Sequence, residues 1–194
     1  LATFLLKGMG FPPSVPVLFV FVAPVLILMQ LGFLYYKGWR LNGKLSLQGI
    51  VLYRDDPMPW WKTILVALPV LAWIAFVWFD IKTPVDDFFI EGVFAWMPAK
   101  FLDEYFLDNL SQYSPAFLRV IGVLFALSIT LGGMVEELYF RGYLLARMQP
   151  LGRWAPIVNV VLFSLYHFWS PWENIVRLLA LTPWVFAVWR TRNI

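Results

Sequence analysis

Four side chains able to move protons or pair charges stand close together in an otherwise apolar half of the chain. They are Glu136, Glu137 and Arg141, within "GGMVEELYFRGYLLARM" (Gly132 to Met148), and His167, the one histidine among 194 residues. On a helix, Glu137 and Arg141 are four apart, share a face and can pair, whereas Glu136 is turned about 100° away and lacks that partner. A carboxylate in a dehydrated pocket, beside an imidazole that can share its proton, is the environment a general base needs to work near neutral pH. The chain has no cysteine, and no serine stands in a nucleophile setting. Water is therefore the expected nucleophile and hydrolysis the expected chemistry, with Glu136 and His167 activating the water. At this level two plainer readings stay open: an interfacial anchor or ion pair for the acids and the arginine, and a packed, hydrogen-bonded histidine.

These groups need a scaffold. Hydrophobic residues make up 61% of the chain and charged ones 14%, and the mean hydropathy is +0.71, far above that of a soluble domain of this size. The chain reads as an integral membrane protein. A bilayer core of roughly 30 Å takes about 20 mostly apolar residues per helical span. Apolar runs lie at Val17 to Tyr36, Trp61 to Phe79, Ala116 to about Arg141, Trp154 to Trp169 and Ile175 to Trp189, with Leu1 to Phe11 as a partial sixth. Their continuity, as in "VLFVFVAPVLILM", excludes a barrel, whose strands of about ten residues alternate apolar and polar. The expected fold class is all-α: a polytopic transmembrane helix bundle of five to six spans, forming a single domain over residues 1–194. The opening "LATFLLKGMGFPP" begins without methionine and lacks the marks of a secretory signal, so residues are expected to precede it.

Loop charges give an orientation. Lys37, Arg40, Lys44, Arg54 and Lys62 line the first long connection against Asp55 and Asp56, which predicts a cytoplasmic loop from Lys37 to Lys62. The next connection carries Asp80 and, in its loop from Ile81 to Pro115, Asp86, Asp87, Glu91, Asp103, Glu104 and Asp108 with only Lys82 and Lys100, which puts it on the far side. It is read as an amphipathic interfacial segment or an extramembrane cap. Arg147 and Arg153, then Arg190 and Arg192, return the chain and its C-terminus to the cytoplasm. The expected location is a bacterial inner (plasma) membrane, with membrane lipids as partners.

Depth can be compared within the last hairpin. Pro150 and Gly152 turn the chain between two helices. Glu136 lies eleven residues before Arg147, roughly 16 Å, and His167 thirteen after Trp154, roughly 20 Å. Both fall near mid-membrane, where ionisable groups face the bundle interior or a wet cavity.

The order Glu136-Glu137-Leu138-Tyr139-Phe140-Arg141, followed by Phe163-Ser164-Leu165-Tyr166-His167, resembles the EExxxR and FxxxH motifs of the CAAX protease and bacteriocin-processing membrane family. That family includes type II CAAX prenyl endopeptidases and bacterial abortive-infection-type proteins, and the resemblance covers about residues 115–194. It implies an intramembrane glutamate-dependent endopeptidase in which Glu136 and His167 activate a water, Glu137 and Arg141 support the site, and Phe163 packs one turn before the histidine. The family's third motif, a histidine and an asparagine or aspartate on a further helix, has no counterpart here. Either the sequence breaks off before that helix, which is the expectation, or the protein lacks the motif and is a poor enzyme, since losing oxyanion donors costs about 10²- to 10³-fold each in rate.

The implied substrate is a peptide or lipidated protein. Two other functions stay open from the sequence: a catalytically inactive accessory or scaffold subunit bound to other membrane subunits, and a transporter or immunity protein whose buried acids relay protons. No nucleic-acid partner, cofactor or metal is assigned, since Glu136, Glu137 and His167 without a second histidine make a poor ligand set. Asn159, two turns before His167, could line the cavity, but core packing or a helix–helix hydrogen bond is the expected role.

Overall fold

The computed structural model describes residues 15–53, 58–98, 111 and 113–194. The partial span Leu1 to Phe11 and the loop charges Arg54, Asp55, Asp56, Lys100, Asp103, Glu104 and Asp108 lie outside the described residues. Among the described residues the architecture is helical and contains no strand. Five helices follow one another: α1 (Val15–Asn42), α2 (Trp60–Glu91), α3 (Pro115–Leu145), α4 (Ala155–Tyr166) and α5 (Asn174–Thr191).

Local chemistry explains where α3 starts. Ser114 stands at its N-cap and accepts a hydrogen bond from the Phe117 amide at 3.2 Å, while Pro115 supplies a first helical residue that needs no donor. Both long helices contain a wide π turn, at Val77–Ile81 in α2 and at Glu137–Leu145 in α3. Such turns insert an i→i+5 pattern into an α-helix and are frequent at functional sites.

Among the described residues, α2 and α3 are long and apolar enough to cross a membrane, with mean hydropathies of 2.3 and 2.0 in their most apolar stretches. Only 11% and 22% of those stretches are buried inside the protein. Their apolar side chains therefore face outward: Leu65, Leu68, Leu71 and Phe79 on α2, Val123, Leu127 and Leu131 on α3. A surface of this kind is stable against hydrocarbon and not against water. By contrast, α4 has 12 residues, roughly 18 Å of helix.

Helix α1 packs along α3, and α4 along α5. Val77 of α2 joins Val176 and Ala180 of α5 in a small core, and the Trp73 indole donates to the Leu179 carbonyl at 2.9 Å. The loop after α1 folds back beneath the end of α3. There the Leu52 amide donates to the Gly142 carbonyl at 2.8 Å, and Arg147 donates to the carbonyls of Ile50 at 2.8 Å and Gly49 at 3.3 Å. Gly38 makes this return possible, because a Cβ there would lie 1.7 Å from the Ser46 carbonyl oxygen. A backbone oxygen cannot move aside as a side-chain tip can. Gly38→Ala is expected to lower stability by about 1–3 kcal/mol, read as a fall in the thermal unfolding midpoint; an unchanged midpoint would contradict this close approach.

Helix ends differ from the apolar runs. α1 continues six residues past Tyr36, and α2 runs twelve past Phe79, to Glu91. The acidic stretch expected as loop from Ile81 is thus helical through its first third, and Lys82 and Asp86 lie on α2. The physical reason is that both side chains form ion pairs, with each other and, for Lys82, with Glu173 before α5.

Candidate active site

The charged motif sits where α3 changes from α to π geometry: Glu136 closes the α segment and Glu137 opens the π turn. Glu137 is held from two sides. Its Oε1 lies 3.4 Å from the Arg141 Nε, the pairing expected from their spacing, and its Oε2 accepts from the Trp184 indole of α5 at 3.2 Å. Arg141 is completely buried. Its guanidinium stacks over the Phe163 ring, 4.2 Å from the centroid, while Nε and Nη1 have no hydrogen-bond partner among the described residues. The charge is therefore met by the Glu137 carboxylate and by the electron-rich face of an aromatic ring.

Helix α4 is fastened to this π segment by Asn159, fully buried, whose amide donates to the Phe140 carbonyl at 2.8 Å. Asn159 does make the helix–helix hydrogen bond expected of it. Helix α4 ends at Tyr166, so His167 stands just outside it, at φ −83° and ψ 50°. The sequence reading had carried the helix on to Trp169. The difference follows from a helix's last carbonyls, which lack amide partners. The Phe163 carbonyl takes the imidazole instead, with Nδ1 2.8 Å away. A carbonyl can only accept, so Nδ1 carries the proton, and in its neutral form the ring keeps its lone pair on Nε2. The Phe163 ring also lies 4.6 Å from the imidazole and 5.1 Å from Phe140. It packs against both Arg141 and His167.

Glu136 and His167 line one cavity of about 210 Å³. Ala23, Leu26 and Ile27 of α1 form one wall, Ser128, Gly132, Gly133 and Glu136 of α3 another, and Tyr166, His167 and Trp169 the end. There is room for several waters. Glu137, Arg141 and Phe163 are not among its lining residues. Charges that act on Glu136 come from Arg141, Glu137 and Arg177, and Tyr166 lies within hydrogen-bonding reach of it. Among the described residues, no three His, Cys, Asp or Glu side chains converge as a metal-ligand set.

The sequence reading missed several participants. It gave α1 no role beyond a compatible span, although α1 supplies a wall; its apolar residues carry no distinguishing pattern. It also passed over Tyr166 and a second buried charge cluster made by Lys82, Asp86, Glu173 and Arg177. Both Lys82/Asp86 and Glu173/Arg177 have the i, i+4 spacing that marked Glu137/Arg141, so the same test applied along the whole chain would have found them.

Compared with known proteins, residues 117–194 match the family model for "Type II CAAX prenyl endopeptidase Rce1-like". That stretch includes both motifs. No curated protein and no solved structure matches the chain.

Proposed function

We propose, for a membrane protein whose residues 117–194 belong to the Rce1-like family of type II CAAX prenyl endopeptidases, an intramembrane endopeptidase that uses a water activated by Glu136 and His167. One observation carries the reading: the only histidine and the motif acid that has no ion-pair partner among the described residues share the wall of a single cavity. In the proposed reaction Glu136 accepts a proton from the water, and the oxygen adds to the scissile carbonyl carbon. The same proton is delivered to the leaving amine as the C–N bond breaks. His167 presents Nε2 to the water because Nδ1 is committed to Phe163. Glu137, Arg141 and Phe163 support the wall, and no cofactor takes part.

The substrate class is a membrane-anchored peptide or lipidated protein. A polytopic bundle of five to six spans in a bacterial inner membrane, with the Lys37 to Lys62 loop and residue 194 on the cytoplasmic side, fits the loop charges and the outward apolar faces of α2 and α3. The test uses the full-length protein in liposomes with a lipid-anchored peptide. Hydrolysis at one peptide bond is expected, and absence of turnover across prenylated, acylated and unlipidated peptides would contradict the reading.

A further inference from the structure

The segment 167–173, which begins with His167, has no α-helical hydrogen bonding of its own. Two backbone contacts curl it, Ser170 amide to His167 carbonyl and Glu173 amide to Ser170 carbonyl, each 3.2 Å. One side chain then grips it. Arg177 of α5 donates through Nη1 to the Ser170 carbonyl at 3.0 Å and to the Asn174 Oδ1 at 3.3 Å, and through Nη2 to the Ser170 hydroxyl and the Glu173 carboxylate. The other Glu173 oxygen lies 3.0 Å from the Lys82 Nζ of α2, and Lys82 also pairs with Asp86. Asp86, Ser170, Glu173 and Arg177 are all buried.

We propose that this four-charge cluster positions His167, with Lys82 and Asp86 of α2 acting through Glu173, Arg177 and Ser170. Burying two cations and two anions is costly even when they pair, and apolar residues of similar size hold helices together at least as well. What paired charges add is direction: a planar guanidinium with fixed donors sets the Ser170 and Glu173 backbone in one arrangement. Ser170 stands three residues from the imidazole, and its amide holds the His167 carbonyl, so that arrangement is passed to the ring. The fields of Arg177 and Glu173 also reach the imidazole. Lys82 and Asp86 lie outside the family-matched stretch, so the positioning of His167 depends on the first half of the chain as well.

Where catalysis is concerned this rests on the proposed function; the position of the ring does not. The chain has a single histidine, so ¹⁵N NMR of imidazole-labelled protein reports on His167 alone. The wild-type ring is expected as one tautomer, protonated at Nδ1. Lys82→Met/Asp86→Asn removes one charge of each sign and leaves the Glu173–Arg177 pair in place. In that variant a second tautomer or a shifted ring spectrum is expected. The kcat for peptide cleavage should fall about 10- to 100-fold with unchanged KM, while helical circular dichroism stays native. Lys82→Arg is expected to retain both spectrum and rate.

A folded double variant whose ring spectrum superimposes on the wild type overturns the proposal. Should that variant not fold, Arg177→Lys, which keeps the charge but loses the fork, is read by the same criterion. A shifted ring in a protein that cleaves no peptide would retain the positioning role and count against the proposed function alone.

Discussion

Glu136→Gln is expected to reduce peptide cleavage by about 10³-fold, a loss within the range attributed to a positioned general base. The amide keeps the size and hydrogen-bonding capacity of the carboxylate but cannot take a proton from water. Glu136 is half-buried at the end of an α segment whose own hydrogen bonds do not use its side chain, so the helices should be undisturbed. Circular dichroism and the unfolding midpoint should match the wild type while single-turnover cleavage collapses. Cleavage at the wild-type rate in a folded Glu136→Gln protein would remove Glu136 from the reaction.

Arg141→Met should act on both stability and rate. Methionine fills much of the same volume but removes the cation that faces Glu137 at 3.4 Å and stacks 4.2 Å from the centre of the Phe163 ring. Breaking a fully buried ion pair costs about 3–5 kcal/mol. Glu137 retains 35% of its side-chain exposure and its bond from Trp184, so about 2 kcal/mol is expected here. Phe163 would lose the guanidinium while still touching His167. The ring then gains freedom, and cleavage should fall about 10- to 100-fold. Arg141→Lys is not expected to restore it, because an ammonium cannot stack as a plane. Thermal unfolding and kcat together check this; a variant with native stability and rate would show the guanidinium to be dispensable.

How much of this was legible in the sequence depends on the range of the interaction involved. Glu137 and Arg141 could be paired from spacing alone, because the contact is local and survives the change to π geometry. That Glu136 and His167 border one cavity is compatible with their matching depths across a turn marked by Pro150 and Gly152. Harder to see was that His167 leaves its helix: nothing in "SLYHFWSP" stops a helix before Pro171, and the end is set by an imidazole competing for the Phe163 carbonyl. Hydropathy placed the helices of the described residues but not their ends, since a helix continues as long as its polar groups find partners. Lys82 finds one 91 residues away in Glu173, and a tertiary pairing of that separation leaves no local trace. The return of the 43–53 loop to Gly142 is of the same kind.

Double substitution puts the shared cavity to the most direct test. Cleavage rates for Glu136→Gln, His167→Gln and the combined variant form a cycle that asks whether the two side chains serve one water. Groups that act as a unit lose nearly everything at the first deletion, so each single loss is expected to be nearly as large as the loss in the combined variant. Losses that multiply, with the combined variant slower by the product of the two, would mean that the carboxylate and the imidazole act independently and would contradict a common water between them.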